Sequence, residues 1–97
     1  MNGNEKTGAP AAAQPVVNHR MRAMLRAVGA GRGRVSCSSE PDLFIDGLSC
    51  GDQFAAHALA HLGLVRAARP GRPGELVPAI LTPAGHAIIT ADQRSAA

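Results

Sequence analysis

The chain has 97 residues, 45% apolar, 18% charged and 2% aromatic, with 11 Gly, 7 Pro, two Phe and no Trp or Tyr. That length holds one domain, and with the polar ends set aside about 70 to 75 residues remain, a size at which roughly 60% of the chain surface is buried. No large catalytic cleft, no enzyme activity and no small-molecule substrate are expected. No apolar run approaches the roughly 18 residues of a membrane span, and the opening MNGNEKTGAPAAAQP lacks the charged-then-apolar order of a signal peptide. The expected location is therefore cytoplasmic, with both Cys as reduced thiols.

The net charge of +3 hides a segregation. Residues 19 to 35 carry five Arg and no acid, residues 40 to 52 carry Glu40, Asp42, Asp46 and Asp52 and no base, and residues 66 to 74 carry Arg66, Arg69 and Arg72 and no acid. Two basic blocks flanking an acidic one suit a polyanion partner, since Arg near phosphate releases counterions. They suit self-pairing of opposite faces equally well. A simpler reading is a solvated surface that keeps a small protein soluble.

Residues 1 to 17 have little to bury and read as a disordered tail. Met21, Met24, Leu25 and Val28 then recur at helical spacing, with Asn18 as N-cap, Gly29 as the terminating residue, and Arg22 and Arg26 on the opposite side. After the basic loop AGRGR, Val35 and Cys37 alternate with serines as a short strand. Ser39-Glu40-Pro41-Asp42 favours a short second helix, although Leu43, Phe44 and Ile45 are equally compatible with a strand. Ser49 and Asp52 form an S-x-x-D capping box, which starts a third helix near Cys50 with Phe54, Ala55, Ala58, Leu59 and Leu62 on its apolar arc and Gln53, His57 and His61 on a polar one. Gly63 closes it. Leu64 to Arg69 and Glu75 to Leu81 read as a hairpin turning at PGRPG, with Pro78 confined to an outer edge. Thr82-Pro83 starts a last helix with Ala84, Ile88 and Ala91 on one face, and residues 92 to 97 read as a second tail.

Within this order, Leu59, Leu62, Gly63, Leu64 and Val65, followed by Leu81, Thr82 and Gly85, resemble the closing half of winged helix-turn-helix transcriptional regulators, specifically over about residues 59 to 85. The resemblance implies an α+β, mostly α fold, a winged helix-turn-helix with a two- or three-stranded β wing over residues 18 to 91, and a homodimer that binds double-stranded DNA to regulate transcription. It implies that Gln53, His57 and His61 face base edges while Arg66, Arg69 and Arg72 hold phosphates, with Arg32 and Arg34 adding to the basic face. The expected recognition helix carries no Arg or Lys, and Asp52 stands at its start. The alternative function is accordingly a winged-helix protein-interaction or dimerisation module without DNA binding.

Cys37, Cys50, His57 and His61 give C-x12-C-x6-H-x3-H, a candidate zinc set that makes a small zinc-binding protein a minor alternative. The close C-x2-4-C pair that makes zinc motifs specific is absent, so no cofactor is expected and the two Cys read as core side chains.

Overall fold

The computed structural model describes residues 17–96, and the expected Met21, Met24, Leu25 and Val28 stripe is there the buried face of helix α1 (His19–Gly29). Asn18 caps it as expected, its side-chain oxygen accepting the Met21 N–H at 2.8 Å. The left-handed terminating residue is Gly31, with φ at 82°, and not Gly29. Gly31 N–H bonds Val28 O and Arg32 N–H bonds Ala27 O, the paired closure of a Schellman turn. Gly29 serves packing instead, since an added methyl would press on Leu81 and Ile89 side chains at 3.1 and 3.2 Å.

Strand β1 (Gly33–Ser36) follows, and then a hairpin of β2 (Leu43–Ile45) and β3 (Leu48–Ser49) where a short helix was expected. The deciding residues are Asp46 and Gly47, with φ of 53° and 82°, which form a two-residue turn between paired Ile45 and Leu48. Asp-Gly between apolar residues is a strong short hairpin signal, and it outweighs the helix-start chemistry of Pro41 and its acidic neighbours. Helix α2 (Gln53–His61) begins three residues later than expected, at the N-cap Asp52, so Cys50 and Ser49 precede it. Its C-terminus closes as expected at Gly63, with Gly63 N–H on Ala60 O and Leu64 N–H on Leu59 O.

Strands β4 (Val65–Ala67) and β5 (Leu76–Leu81) form the expected hairpin, and helix α3 (Pro83–Ala96) completes the chain. The described residues thus form a small α+β domain with three helices and a five-stranded antiparallel sheet in the order β3-β2-β1-β5-β4. This sheet is larger than the expected two- or three-stranded wing because β2 and β3 extend it. Val35, Leu43, Val65, Val77, Ala79 and Leu81 point to the helices and are buried, while Arg34, Phe44, Arg66, Leu76, Pro78 and Ile80 share the opposite face. Pro78 lies in the inner strand β5, not at an outer edge. Its carbonyl accepts from Ala68 N–H, just past the end of β4, so its missing N–H falls where the ladder has already ended.

The phrase Leu81-Thr82-Pro83-Ala84-Gly85 fixes α3 to the turn after α2. Thr82 N–H bonds Leu64 O, the Thr82 hydroxyl donates to Gly63 O, and its oxygen accepts the Gly85 N–H at 3.2 Å as the expected N-cap. A methyl on Gly85 would overlap the Leu64 carbonyl oxygen. The inner face of α3 is Gly85, Ile88, Ile89 and Asp92, whereas Ala84 and Ala91 are exposed, and the helix runs on through the expected second tail to Ala96. Asp92 is the reason the inner face extends so far, because it accepts from Arg22 at 3.2 Å and Arg26 at 2.8 Å across the α1–α3 seam. The expected N-terminal tail lies outside the described residues except for Val17, and residue 97 lies outside them as well.

The Leu64–Gly85 approach predicts that Gly85→Ala destabilises the fold by about 1–3 kcal/mol, the cost of overpacking against a backbone that must shift. Gly51→Ala, whose methyl meets nothing within 4 Å, should leave stability unchanged or slightly raised. Urea unfolding of the two variants measures both.

Candidate interaction site

Helix α2 is held in a defined rotation by its first turn. The Gln53 side-chain oxygen accepts the Leu43 N–H at 2.9 Å, while its amide nitrogen donates to Leu43 O at 3.0 Å, Cys50 O at 2.9 Å and Ser49 Oγ at 3.1 Å. The side chain therefore holds both backbone polar groups of Leu43 and ties α2 to β2 and β3. Asp52 caps the same turn, its carboxylate accepting the Ala55 N–H at 2.9 Å and the Arg20 guanidinium at 2.8 Å. The Ala55 N–H, and after it Arg20, hold the Asp52 carboxyl below its ordinary value of 3.8.

With that rotation set, the buried arc of α2 is Ala55, Ala56 and Leu59. This corrects the expected arc. Phe54 is 86% exposed and Leu62 42% exposed on the outer side, while Ala55 and Leu59 are buried and Ala58 is partly buried against the core as expected. An exposed Phe forgoes about 1.5–3 kcal/mol of burial, and with Leu62 it forms an apolar surface on α2.

His57 and His61 share that outer side and meet the acidic loop between β1 and β2. His57 Nε2 lies 2.9 Å from Asp42 Oδ1, its Nδ1 lies 3.4 Å from Glu40 Oε1, and His61 Nε2 lies 2.6 Å from Glu40 Oε2. All three side chains expected to face bases are thus engaged with the chain itself: Gln53 with backbone, the two His with carboxylates. Spacing alone places the His pair together; Glu40 and Asp42 stand out in the sequence only as part of an acidic block, because their His partners are 15 to 21 residues away.

Between α1 and α2 lies a groove of about 680 Å³ lined by Met21, Ala55 and Ala58, walled by Phe54 and Leu62, with Glu40 and Asp52 at its rim. A second cleft of about 560 Å³ separates the β4–β5 loop, residues 68 to 75, from the other side of α2 and reaches Cys37.

The arginines divide into two sets. Arg20, Arg22, Arg26 and Arg32 are paired with Asp52, Asp92, Asp92 and Asp46 respectively, the last at 2.7 Å. Much of the basic block at 19 to 35 is therefore neutralised inside the chain. Arg69 is held by Glu75 at 3.1 Å. Glu75 also accepts the Arg72 N–H at 2.9 Å, and that bond, followed by Arg69, holds its carboxyl below the ordinary 4.5. Arg34, Arg66 and the Arg72 side chain are exposed and form no ion pair among the described residues. Arg34 and Arg66 lie on the outer sheet face, and Arg72 lies in the β4–β5 loop.

The candidate zinc set does not converge. His57 and His61 are together, but Cys50 precedes α2, Cys37 follows β1 beside the β4–β5 loop, and among the described residues no group of three or more His, Cys, Asp or Glu is arranged to hold a metal ion. Burial pushes the Cys50 thiol up, opposite to the activation expected for a thiol at a helix start.

The chain matches no protein-family model, no curated protein and no solved structure.

Two predictions follow from these contacts. Gln53→Ala orphans the Leu43 N–H and should lower unfolding free energy by about 1–3 kcal/mol in urea. Because Asp52 and Glu75 have depressed folded-state values, the stability they contribute is complete above their ordinary values of 3.8 and 4.5 and is lost as pH falls through the lower folded ones. The melting temperature should therefore fall on that acid limb, and the double variant Asp52→Asn, Glu75→Gln should flatten it.

Proposed function

We propose that this chain is a winged-helix-like domain that works as a protein-interaction module and docks a partner on the outer side of α2. The observation that carries the reading is Phe54, 86% exposed on the helix that the resemblance assigns to DNA. A recognition helix presents polar and basic side chains to phosphates and base edges. Here the corresponding surface is Phe54, Ala58 and Leu62 beside Glu40, Asp42 and Asp52, which favours an apolar partner with cationic groups and opposes a polyanion.

The winged-helix part of the reading is supported by chain order. α1, β1, α2, β4, the wing loop and β5 follow one another as the resemblance implies, and β5 lies between β1 and β4. The β2–β3 hairpin stands where the second helix of a helix-turn-helix belongs. A cytoplasmic location belongs to the same reading; among the described residues no helix is long and apolar enough to cross a membrane.

Double-stranded DNA binding is the second reading, favoured by the exposed guanidinium groups of Arg34, Arg66 and Arg72 on the sheet face and wing. It uses phosphate contacts without helix readout, and carries the expected role in transcription with it.

Two measurements separate the readings. A photo-crosslinking amino acid in place of Phe54 should capture protein in living cells, and the same group in place of exposed Arg94 should not. Equal capture at both positions, or none at 54, contradicts the interaction reading. Fluorescence anisotropy with random duplexes at low salt should give dissociation constants weaker than about 10⁻⁴ M. Tighter binding whose salt slope falls in Arg66→Ala, Arg72→Ala favours DNA.

A further inference from the structure

We propose that the occupant of the α2 groove is the wing of a second copy of this chain, so that copies join head to tail. The inference rests on the docking reading above and adds the identity of the occupant.

The groove sets the requirements. Its apolar part is Met21, Ala58, Phe54 and Leu62, and its rim carries Glu40 and Asp52 with Asp42 behind His57. Arg20 offsets one of these three carboxylates, so among the Arg, Asp and Glu side chains at the groove the carboxylates are in excess. A complementary segment is exposed, small, apolar and cationic. Residues 68 to 74, Ala-Arg-Pro-Gly-Arg-Pro-Gly, meet that description, and every one of them is exposed.

The wing is also shaped before it docks. Glu75 holds the Arg72 N–H and the Arg69 guanidinium, Gly74 N–H bonds Cys37 O, and Cys37 N–H bonds Glu75 O. A loop already fixed loses little entropy on binding. The Arg72 guanidinium makes no hydrogen bond among the described residues, so it can reach Glu40 or lie on the Phe54 ring, with Pro70 and Pro73 packing against Phe54 and Leu62 as proline segments do on aromatic grooves.

Symmetry argues for the unlike pairing. Two grooves meeting across a two-fold axis would bury Phe54 against Phe54 but would also bring Glu40 and Asp52 of both copies together, four carboxylates with only the two Arg20 guanidinium groups to offset them. Groove to wing pairs opposite charges and leaves one free groove and one free wing on every dimer, so growth continues beyond two copies. One loop in one groove is a small interface, and the association is correspondingly weak and salt-sensitive.

Sedimentation velocity on the full chain, from about 10 μM to about 1 mM to span such weak contacts, tests the proposal. The wild-type average mass should climb past the dimer with concentration and fall with added salt. Phe54→Ser and Arg72→Glu alter exposed side chains only, and circular dichroism checks that each stays folded. Each alone should remain monomeric, and an equimolar mixture should give a one-to-one dimer and nothing larger, because one intact groove then meets one intact wing. A wild-type chain that stays monomeric throughout overturns the proposal, as does a mixture that fails to pair. A dimer abolished by Phe54→Ser but untouched by Arg72→Glu also overturns it, while leaving the docking surface in place for another occupant. Association unchanged in Phe54→Ser overturns both the proposal and the reading beneath it.

Discussion

The grip of Gln53 on the Leu43 backbone is the contact on which the outer surface of this domain depends. A helix as short as α2, with only Ala55, Ala56 and Leu59 to bury, has little apolar area to choose its own rotation. The amide hydrogen bonds choose it instead, and because they are local to the first turn they act together with the Asp52 cap. Everything facing outward follows from that setting: Phe54 and Leu62 turn to solvent, and His57 and His61 turn to the β1–β2 loop. At the other end of α2, Thr82 and Gly85 clamp α3 onto Gly63 and Leu64, so the helix is fixed at both termini while its middle contributes small side chains to the core.

What was legible in the sequence was what local chemistry decides. The α1 stripe, the Asn18 and Thr82 caps, the closing Gly63 and the β4–β5 hairpin all depend on residues within a few positions of one another, and the structure has them as read. One reading left open and one error have a single physical origin, competition between local signals. At residues 40 to 47 the helix-start residues compete with the Asp46-Gly47 turn, and the turn prevails because β1 offers β2 a ladder partner. At residues 49 to 54 the S-x-x-D box competes with Asp52 as cap in its own right, and the later start rotates Phe54 out of the core. The ion pairs were not legible at all. Arg20 with Asp52 and Arg22 with Asp92 span 32 and 70 residues, and no periodicity connects such partners.

Those pairs also change the meaning of the charge blocks. Read along the chain, the first basic block invites a phosphate backbone; folded, four of its five arginines face carboxylates of the same chain. Individually such exposed pairs contribute on the order of 0–1 kcal/mol, so their weight lies less in stability than in orienting α1 against its neighbours and withdrawing charge from the surface. Among the described residues the arginines without an ion pair are Arg34 and Arg66 on the outer sheet face, Arg72 in the β4–β5 loop and Arg94 on α3, while Glu40 and Asp42 beside the α2 groove meet only His57 and His61. The molecule is consequently polar from one side to the other, an arrangement that favours contact between unlike surfaces over contact with a uniform polyanion.

The account stands on the rotation of α2, and a direct measurement of it is solvent paramagnetic relaxation by NMR on dilute protein. The account predicts that a soluble paramagnetic agent strongly broadens the Phe54 ring protons while leaving the Leu59 methyls sharp, in keeping with exposures of 86% and 1%. A Phe54 ring as protected as Leu59 would mean that the helix carries its aromatic side chain into the core, and the proposed docking surface would not exist.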